Sequence, residues 1–334
     1  MPATPAAEEK PLAAYRWGII GCGNVCEVKS APAYQRVEGF ELAAVMSRSL
    51  AKAADFAKRH QVPRYYDDAQ QLINDPHINA VYIATPPDSH CDYALQVAEA
   101  GKICVVEKPM ALNFAQCVAM QQAFSARQLP LFVAYYRRSL PAFKQIKQWL
   151  DEGLIGQPRQ ISWLYYRPPG ALDLSPQPNW RTDARIAKAG YFEDIASHGL
   201  DLMCYLLGPV RQASGFATNQ QGLYTACDAV VASLLFESGV TGSGAWNFAA
   251  QDHQDKIQII GSLGHISFSV FSDTPAVLST ADKCISVPMA KPSPIQQHFV
   301  QAVADHLAAK AQHPSLAASA AHTNWIMDAI LAAN

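Results

Sequence analysis

Short apolar segments alternate with helix-like segments over residues 15–135, and this pattern constrains the fold more than any other feature of the chain. Strands are predicted at residues 17–20, 40–46, 78–84, 103–106 and 131–134, and helices at residues 24–35, 51–59, 69–74, 89–100 and 114–127. Strands that are apolar at every position are typically buried on both faces. Separated by helices, they predict a parallel, doubly wound sheet in an α/β domain.

The pattern changes after residue 135. Longer strand candidates at residues 159–166, 210–219, 225–237, 240–248, 256–261 and 264–268 are joined by short turn signals. This hairpin spacing predicts a large, mainly antiparallel sheet, with helices at residues 141–152, 190–207, 295–311 and 316–333. We therefore divide the chain into a flexible tail (1–14), a first domain (15–135) and a second domain (136–334). The proline-rich residues 168–178 are a loop and a lid candidate.

The composition argues against several classes of function. The chain has 334 residues, of which 50% are hydrophobic and 16% charged, with a formal net charge of −2 and no long basic run, so a nucleic-acid partner is not expected. No segment approaches the roughly 18 apolar residues of a membrane span, and the N-terminus lacks the pattern of a secretory signal. The eight cysteines contain no Cys-x-x-Cys, which favours reduced, buried thiols in a cytoplasmic protein. A redox or metal pair of Cys22 and Cys26 is the weaker alternative.

A glycine turn, Gly21-Cys22-Gly23-Asn24, follows the first predicted strand. Gly21 permits the tight turn into the next helix, and Gly23 lets the backbone approach a pyrophosphate bound at the helix N-terminus. The third glycine position of such a turn is Cys26 here. Gly21, Gly23, Asn24 and Val25 are thus candidate cofactor-binding residues. An ordinary strand-to-helix turn is the alternative.

The ends of the second and third predicted strands suggest where a dinucleotide would bind and which one. After the second strand the residues are Ser47 and Arg48, with no carboxylate for a ribose hydroxyl. Arg48 could stack on adenine or pair with a 2′-phosphate, which favours NADP(H) over NAD(H); a solvated arginine is the alternative. Thr85 and Pro86 follow the next strand, where ligands bind in such sheets. His90 could face the cofactor or lie on the surface at the helix start.

Glu107-Lys108-Pro109 stands at the end of the predicted strand 103–106, so that Lys108 can reach a ligand bound there. Downstream, Asp194 and His198 are four residues apart in a predicted helix and so share one face. A histidine next to a carboxylate suits proton transfer near neutral pH. Together with the glycine turn, this indicates a nicotinamide-dependent oxidoreductase. A metal site is not expected, because Asp194 and His198 have no evident third ligand.

Four motifs in this order resemble the glucose-fructose oxidoreductase / inositol dehydrogenase / rhizopine-catabolism (Gfo/Idh/MocA) oxidoreductases: residues 21–24, 84–90, 107–109 and 190–201. The resemblance implies an N-terminal Rossmann domain and a C-terminal α/β domain whose open sheet often forms a homodimer or higher homo-oligomer interface. The Lys108-Pro109 bond is often cis in such proteins. The exposed sheet face is predicted to include Trp163, Trp246 and Phe248.

The resemblance also implies residue roles. Lys108 corresponds to the lysine that positions and polarises the reacting oxygen, next to Glu107 in the cofactor site. His198 would move the hydroxyl proton, and Asp194 would bind a substrate hydroxyl or orient His198. Asp201, one helical turn further on, is interpreted as structural.

Substrate-side candidates are Tyr136, Arg137, Trp180 and Arg181, because an aromatic face and a guanidinium suit a polyhydroxylated ring. Core packing is the alternative for Trp180, and an interdomain salt bridge is the alternative for Arg137 and its neighbour Arg138. Family members commonly have two glycines with small or apolar neighbours before the catalytic aspartate. Here Tyr191 and Glu193 could narrow or re-charge the pocket.

The predicted function is therefore an NAD(P)-dependent oxidoreductase that transfers a hydride between nicotinamide and a hydroxyl or carbonyl carbon of a sugar, polyol, cyclitol or related diol. Two alternatives remain open. One is a dinucleotide-binding sensor or regulator without turnover, and the other is a glycosidase-like enzyme that uses its bound cofactor transiently.

Overall fold

A computed structural model describes residues 15–175, 177 and 179–332. Its first sheet has six strands, all parallel, in the order β3-β2-β1-β4-β5-β6. The strands are β1 (Tyr15–Ile20), β2 (Phe40–Met46), β3 (Arg64–Tyr66), β4 (Ala80–Ile83), β5 (Ile103–Val106) and β6 (Leu131–Val133). The strand order reverses between β1 and β4, which is where ligands bind in open α/β sheets. The predicted parallel sheet is confirmed, and the predicted tail lies outside the described residues.

Successive strand residues pack into two separate buried clusters, one on each face of this sheet. Ile19 and Val105 belong to one cluster, whereas their neighbours Ile20 and Val106 belong to the other. Both faces are therefore covered, as the uninterrupted apolar strands predict. The helices of this part are α1 (Ala31–Tyr34), α2 (Leu50–His60), α3 (Ala69–Asn74), α4 (His90–Glu99) and α5 (Phe114–Ser125).

The second sheet has eight strands in the order β14-β13-β12-β11-β7-β10-β9-β8. All its pairs are antiparallel except β7 with β10. The strands are β7 (Pro158–Tyr166), β8 (Val210–Thr218), β9 (Ala229–Phe236), β10 (Thr241–Asn247), β11 (Gln254–Gly261), β12 (Gly264–Phe268), β13 (Ala276–Thr280) and β14 (Cys284–Val287). The accompanying helices are α6 (Pro141–Asp151), α7 (Ser197–Leu207), α8 (Gln297–Leu307) and α9 (Ala317–Leu331). The predicted mainly antiparallel sheet is confirmed.

The prediction for the exposed face of the second sheet is wrong. Trp163, Trp246 and Phe248 are each 1% exposed and belong to the core. Helix α7 packs directly on this inner face: a Cβ at Gly199 would lie 2.1 Å from the Trp163 ring. Because side chains alternate along a strand, the outward positions are the neighbouring ones. Leu164 and Phe216 are 42% and 68% exposed there.

Two helices beside the cleft between the sheets begin with a π-helical turn. Cys26–Ser30 precedes α1, and Phe192–Ala196 precedes α7. The sequence predicted one helix over residues 24–35 with a bend at Pro32. The irregular turn instead lies just before Pro32, whose ring nitrogen has no hydrogen to donate. Single π-helical turns of this kind are frequent at functional sites.

Candidate active site

The glycine turn after β1 has the backbone geometry of a dinucleotide-binding turn. Gly21 has φ +110°, and a Cβ there would lie 2.8 Å from the Ala84 carbonyl oxygen. At Gly23 a Cβ would meet nothing within 4 Å. Only glycine therefore fits at position 21, whereas Gly23 leaves open space at the start of the helix for an approaching phosphate.

The thiols near this turn point inward. Cys26 Sγ donates to the Gly21 carbonyl at 2.9 Å, and Cys22 Sγ lies 3.5 Å from the Met46 carbonyl. Burial raises the pKa of Cys22 to about 11. Both thiols are free. These contacts favour two reduced, buried thiols that bond backbone carbonyls over the redox or metal pair considered for Cys22 and Cys26.

Ser47 and Arg48 lie after β2 at the edge of the cleft. The Ser47 amide donates to the Tyr66 carbonyl at 3.1 Å. Arg48 is exposed and lines a cavity of about 830 Å³ together with Pro86, Asp88 and Trp180. Asp88 places a carboxylate in this cavity from the turn after β4, whereas the end of β2 supplies none.

The structure corrects the prediction for His90. Its side chain is fully buried, so it neither faces the cofactor cleft nor lies on the surface. Nδ1 lies 3.0 Å from the Pro109 carbonyl, and Nε2 lies 2.9 Å from the Thr85 carbonyl. Burial lowers the pKa of His90. His90 thus joins the loops after β4 and β5 on their buried side, opposite the cleft.

The side chain of Glu107 also points away from the cofactor cleft, contrary to its predicted role. Its buried carboxylate accepts hydrogen bonds from the Tyr82 hydroxyl at 2.6 Å and Gln296 Nε2 at 2.8 Å. Its second oxygen accepts from the Lys108 amide at 3.1 Å. Glu107 therefore fixes the backbone of Lys108. The following Lys108-Pro109 bond is cis, as the resemblance implied.

Lys108, Asp194 and Arg181 form one charged cluster in the cleft. Lys108 Nζ donates to the Asp194 carboxylate and, at 2.9 Å, to the Asp194 carbonyl. Arg181 Nε lies 2.5 Å from the other carboxylate oxygen. Burial acts to raise the pKa of Asp194, but Lys108 and Arg181 outweigh it and hold that pKa well below the usual range. Asp194 is therefore an anion that orients two cations.

His198 lies on α7 in an aromatic and cationic environment. It is 5% exposed, and its ring centroid is 5.4 Å from that of Tyr136 and 5.9 Å from that of Phe271. Burial lowers the pKa of His198 well below 6.5, and the charges of Arg137, Lys108 and Lys29 lower it further. The imidazole is thus neutral at physiological pH and can accept a proton.

His198 Nδ1 is buried and has no hydrogen-bond partner among the described residues. No hydrogen bond joins it to Asp194, which instead bonds Lys108 and Arg181. A buried polar atom without a partner needs an explanation.

Two of the predicted substrate residues, Tyr136 and Arg137, lie near this histidine. Arg137 is buried, donates from Nε to the Val270 carbonyl at 3.0 Å, and stacks 4.3 Å from the Phe271 ring centroid and 4.9 Å from that of Tyr136. Arg181 stacks 4.5 Å from the half-buried Trp180 ring. Phe271 was missed because it belongs to no motif and no predicted element, and Lys29 was missed because nothing in the predicted helix 24–35 shows that its charge acts on the site.

The interdomain salt bridge considered for these arginines is not found among the described residues, because Arg138 pairs with Asp201 of the same second domain. Arg138 Nε and one terminal nitrogen each lie 2.7 Å from a carboxylate oxygen of Asp201, and both residues are buried. Asp201 therefore has the structural role that the sequence indicated. Within the described part of the chain, Arg137 has no such carboxylate partner.

Tyr191 and Glu193, which depart from the family pattern, face different surroundings. The Tyr191 hydroxyl bonds Asp173 and Asn179. The Glu193 carboxylate accepts from the Ala189 amide at 2.8 Å and lines a separate cavity of about 330 Å³ with Asp328. Burial, together with the charge of Asp328, raises the pKa of Glu193 to about 7.

Comparison with known proteins identifies the family. Residues 15–135 match an oxidoreductase family with an NAD-binding Rossmann fold, and residues 143–267 match the Gfo/Idh/MocA C-terminal domain. Oxidoreductase P35 of Formosa agariphila is 38% identical over 314 residues, covering 93% of this chain and 97% of its own. The chain belongs to the Gfo/Idh/MocA oxidoreductase family. The family resemblance of the four sequence motifs is confirmed.

Two further proteins with similarity to this chain have lower sequence identity. Myo-inositol 2-dehydrogenase of Thermotoga maritima is 26% identical, with 79% of this chain and 78% of that protein covered. The structure of a levoglucosan dehydrogenase in complex with NADH and levoglucosan superposes with a TM-score of 0.84 at 24% identity, covering 95% of this chain and 96% of that one. The family match shows an NAD(P)-dependent oxidoreductase.

No helix in the described ranges has the length and apolar character to cross a membrane.

Proposed function

We propose that this protein transfers a hydride between NADP(H) and a hydroxyl or carbonyl carbon of a sugar, polyol, cyclitol or related diol. The observation that supports it most is the placement of the Lys108 ammonium and the neutral His198 ring around one cleft next to the glycine turn. The names of the relatives, which include inositol and levoglucosan dehydrogenases, favour a polyhydroxylated substrate.

The chain supplies binding and proton-transfer groups for this reaction. Gly21, Gly23, Asn24 and Val25 would hold the pyrophosphate, Ser47 and Arg48 the adenosine end, and Thr85 and Pro86 the middle of the cofactor. When bound, the nicotinamide accepts or donates the hydride. His90 and Glu107 were predicted to bind the cofactor, but their side chains instead fix the loops behind this site.

Lys108 and His198 act on the reacting oxygen. His198, neutral and buried, takes the proton of the substrate hydroxyl in the oxidation direction and returns it in the reduction direction. The Lys108 ammonium stabilises the negative charge that develops on that oxygen. Asp194 holds Lys108 and Arg181 in place. Tyr136, Arg137, Trp180 and Arg181 line the substrate side.

The preference for NADP(H) rests on Arg48. It is exposed at the cavity edge, free to stack on adenine or to pair with a 2′-phosphate. Asp88 lines the same cavity and is the residue that would favour NAD(H) if it reached the ribose. The free thiols of all eight cysteines support a reducing compartment such as the cytoplasm.

We also propose a homodimer through the outer face of the second sheet. Phe216, Val231, Ala245 and Leu164 occupy paired register positions across four neighbouring strands. Three of these side chains are at least 42% exposed. Such a continuous apolar row is typical of a protein–protein interface.

The decisive experiment follows nicotinamide absorbance on a panel of sugars, polyols and cyclic diols, with NADP and NAD, in both directions. Lys108→Ala is expected to lower kcat/KM by about 100- to 1000-fold, because it removes the charge that stabilises the alkoxide. Lys58→Ala is the matched control, since Lys58 is exposed on α2 and distant from the cleft motifs. A clear preference for NAD would overturn only the NADP(H) preference that is based on Arg48. The proposed reaction would stand.

Other results would favour the two alternative functions. Cofactor binding without turnover on any panel member would favour a sensor or regulator. Release of a sugar or aglycone without net change in cofactor oxidation state would favour a glycosidase-like enzyme. An equal loss of activity in Lys58→Ala and Lys108→Ala would contradict the proposed role of Lys108.

A further inference from the structure

We propose that Tyr191 is a positioning residue for the substrate side of the site: its hydroxyl fixes the chain after β7 and so holds Arg181 against Asp194. The inference rests on the proposed function and names a residue that sets substrate affinity within it. Tyr191 lies directly before the π-helical turn that contains Asp194.

The hydroxyl is the centre of a closed polar cluster. It bonds the carboxylate of Asp173 and lies 2.9 Å from Asn179 Nδ2. The second oxygen of Asp173 accepts from the Gly170 amide at 2.7 Å and lies 3.4 Å from Arg167. Asp173 and Asn179, two separated positions of the loop, are thus both tied to Tyr191, which directly precedes the π-helical turn that contains Asp194.

The aromatic ring of Tyr191 has its own contacts, distinct from those of the hydroxyl. The Arg167 guanidinium stacks 4.2 Å from its centroid, and the Phe248 ring lies 5.6 Å away. Phenylalanine would preserve both contacts. Tyr191→Phe therefore removes only the hydrogen bonds to Asp173 and Asn179.

The cluster connects to the catalytic residues through Asn179. Asn179 Oδ1 accepts from the Arg181 amide at 3.2 Å, and Arg181 Nε lies 2.5 Å from Asp194. Asp194 in turn bonds Lys108. Fixing Asn179 therefore fixes the Arg181 backbone, from which the side chain reaches Asp194, before substrate arrives. Without it, the rotational freedom of this arginine would have to be lost on binding.

The kinetic test compares Tyr191→Phe with the wild-type protein. We expect KM for the substrate to rise about tenfold, which is the effect of losing one hydrogen bond to a charged group. kcat should stay within about threefold and cofactor affinity should not change, because Lys108, His198 and the glycine turn are untouched. Tyr66→Phe is the matched control, since it removes a tyrosine hydroxyl from Asp75 at 2.7 Å in the first domain.

A double variant tests whether the effect passes through Asn179. If it does, the double variant Asn179→Ala, Tyr191→Phe should have a KM no higher than that of the single variant with the higher KM. Multiplying effects would show that the two residues act separately and would contradict the proposal. So would an unchanged KM in Tyr191→Phe.

Proteolysis supplies a readout that needs no turnover. Leu172 and Leu174 are 45% and 67% exposed in this loop and are cleavage sites for chymotrypsin. Tyr191→Phe should be cut there several times faster than wild type and Tyr66→Phe. Equal rates in all three would overturn the proposal. An inactive wild type with faster cleavage in Tyr191→Phe would instead contradict only the proposed function.

Discussion

His198 is surrounded by cations rather than paired with a carboxylate. The spacing of four residues predicted that Asp194 and His198 share one helix face, and the family resemblance implied that Asp194 binds a substrate hydroxyl or orients His198. In the structure Asp194 bonds Lys108 and Arg181 instead, and the charges of Lys108, Arg137 and Lys29 act on the imidazole. The helical spacing gave the shared location correctly but not the partner, since several cations compete for one carboxylate.

This environment predicts the pH dependence of the oxidation reaction. Because burial lowers the pKa of His198 well below 6.5, the ring stays in its proton-accepting form as the pH falls through that value. We expect kcat/KM for oxidation to show no acid-side loss attributable to His198 between pH 8 and about 6. His198→Asn should lower kcat about 100-fold or more across this range. A loss centred near 6.5 in wild type, absent from the variant, would show that His198 titrates at its ordinary value.

The raised pKa of Glu193 predicts that its contribution to stability falls as the pH rises. An ordinary salt-bridged carboxylate shows the opposite dependence. The pKa of Glu193 is raised from 4.5 to about 7 in the folded state, so between these values the folded protein binds a proton that the unfolded chain has lost. Stability from this group is therefore present below pH 4.5 and lost as the pH rises to 7. The loss is roughly 1–3 kcal/mol.

The measurement is the urea midpoint at pH 5 and at pH 8. Glu193→Gln stays neutral at both values, so it should gain stability relative to wild type at pH 8 compared with pH 5. Glu38→Gln, at an exposed position, is the matched control and should show no such difference. An identical pH response of wild type and Glu193→Gln would show that Glu193 is ionised in the folded protein.

Among the elements, apolar strands were predicted well and polar or short ones were not. Ile103–Val106 was predicted with its observed bounds because every residue is apolar and Gly101 ends the preceding helix. Arg64–Tyr66, Ala276–Thr280 and Cys284–Val287 were missed. The first is a polar edge strand, and the others are short, so neither periodicity nor composition distinguishes them from loops.

Within the site, motif positions were predictable but side-chain directions were not. Lys108, Asp194 and Arg181 come together in the structure, whereas the motifs placed Asp194 with His198 and gave Arg181 as a substrate residue. His90 and Glu107 lie in equally distinctive motifs, yet their side chains point inward because backbone carbonyls and Tyr82 satisfy them there. Sequence shows which residues stand at a strand end, whereas tertiary packing decides which face each one meets.

The glycine turn allows two effects of similar substitutions to be separated. Gly21→Ala should destabilise the fold by about 1–3 kcal/mol and weaken cofactor binding, because of φ +110° and the contact with Ala84. Gly23→Ala should leave stability nearly unchanged, since its Cβ would meet no atom within 4 Å, and should still weaken cofactor binding. Thermal denaturation and cofactor titration measure both. Tight cofactor binding by Gly23→Ala would place the pyrophosphate elsewhere.

In the whole molecule, the two sheets divide the tasks. The first sheet has its switch point between β1 and β4, beside the glycine turn, and the second covers α7 with its inner face. That inner face is filled by Trp163 and Trp246, so the outer face is not needed for the core. An apolar outer face is therefore unexplained by folding of a single chain.

The outer face predicts association of two copies. Phe216 pairs in register with Val231, Val231 with Ala245, and Ala245 with Leu164, which gives one apolar row across β8, β9, β10 and β7. A dimer would bury this row. Phe216→Asp places a charge at a position of the row that is 68% exposed in the single chain. Because burying an unpaired charge is costly, the variant should reduce the solution mass from two chains to one. Leu263→Asp is the control, because Leu263 is equally exposed at 67% but lies in the turn between β11 and β12. Light scattering on the purified proteins decides: a wild-type mass of one chain, or an unchanged dimer in Phe216→Asp, would exclude this face as the interface.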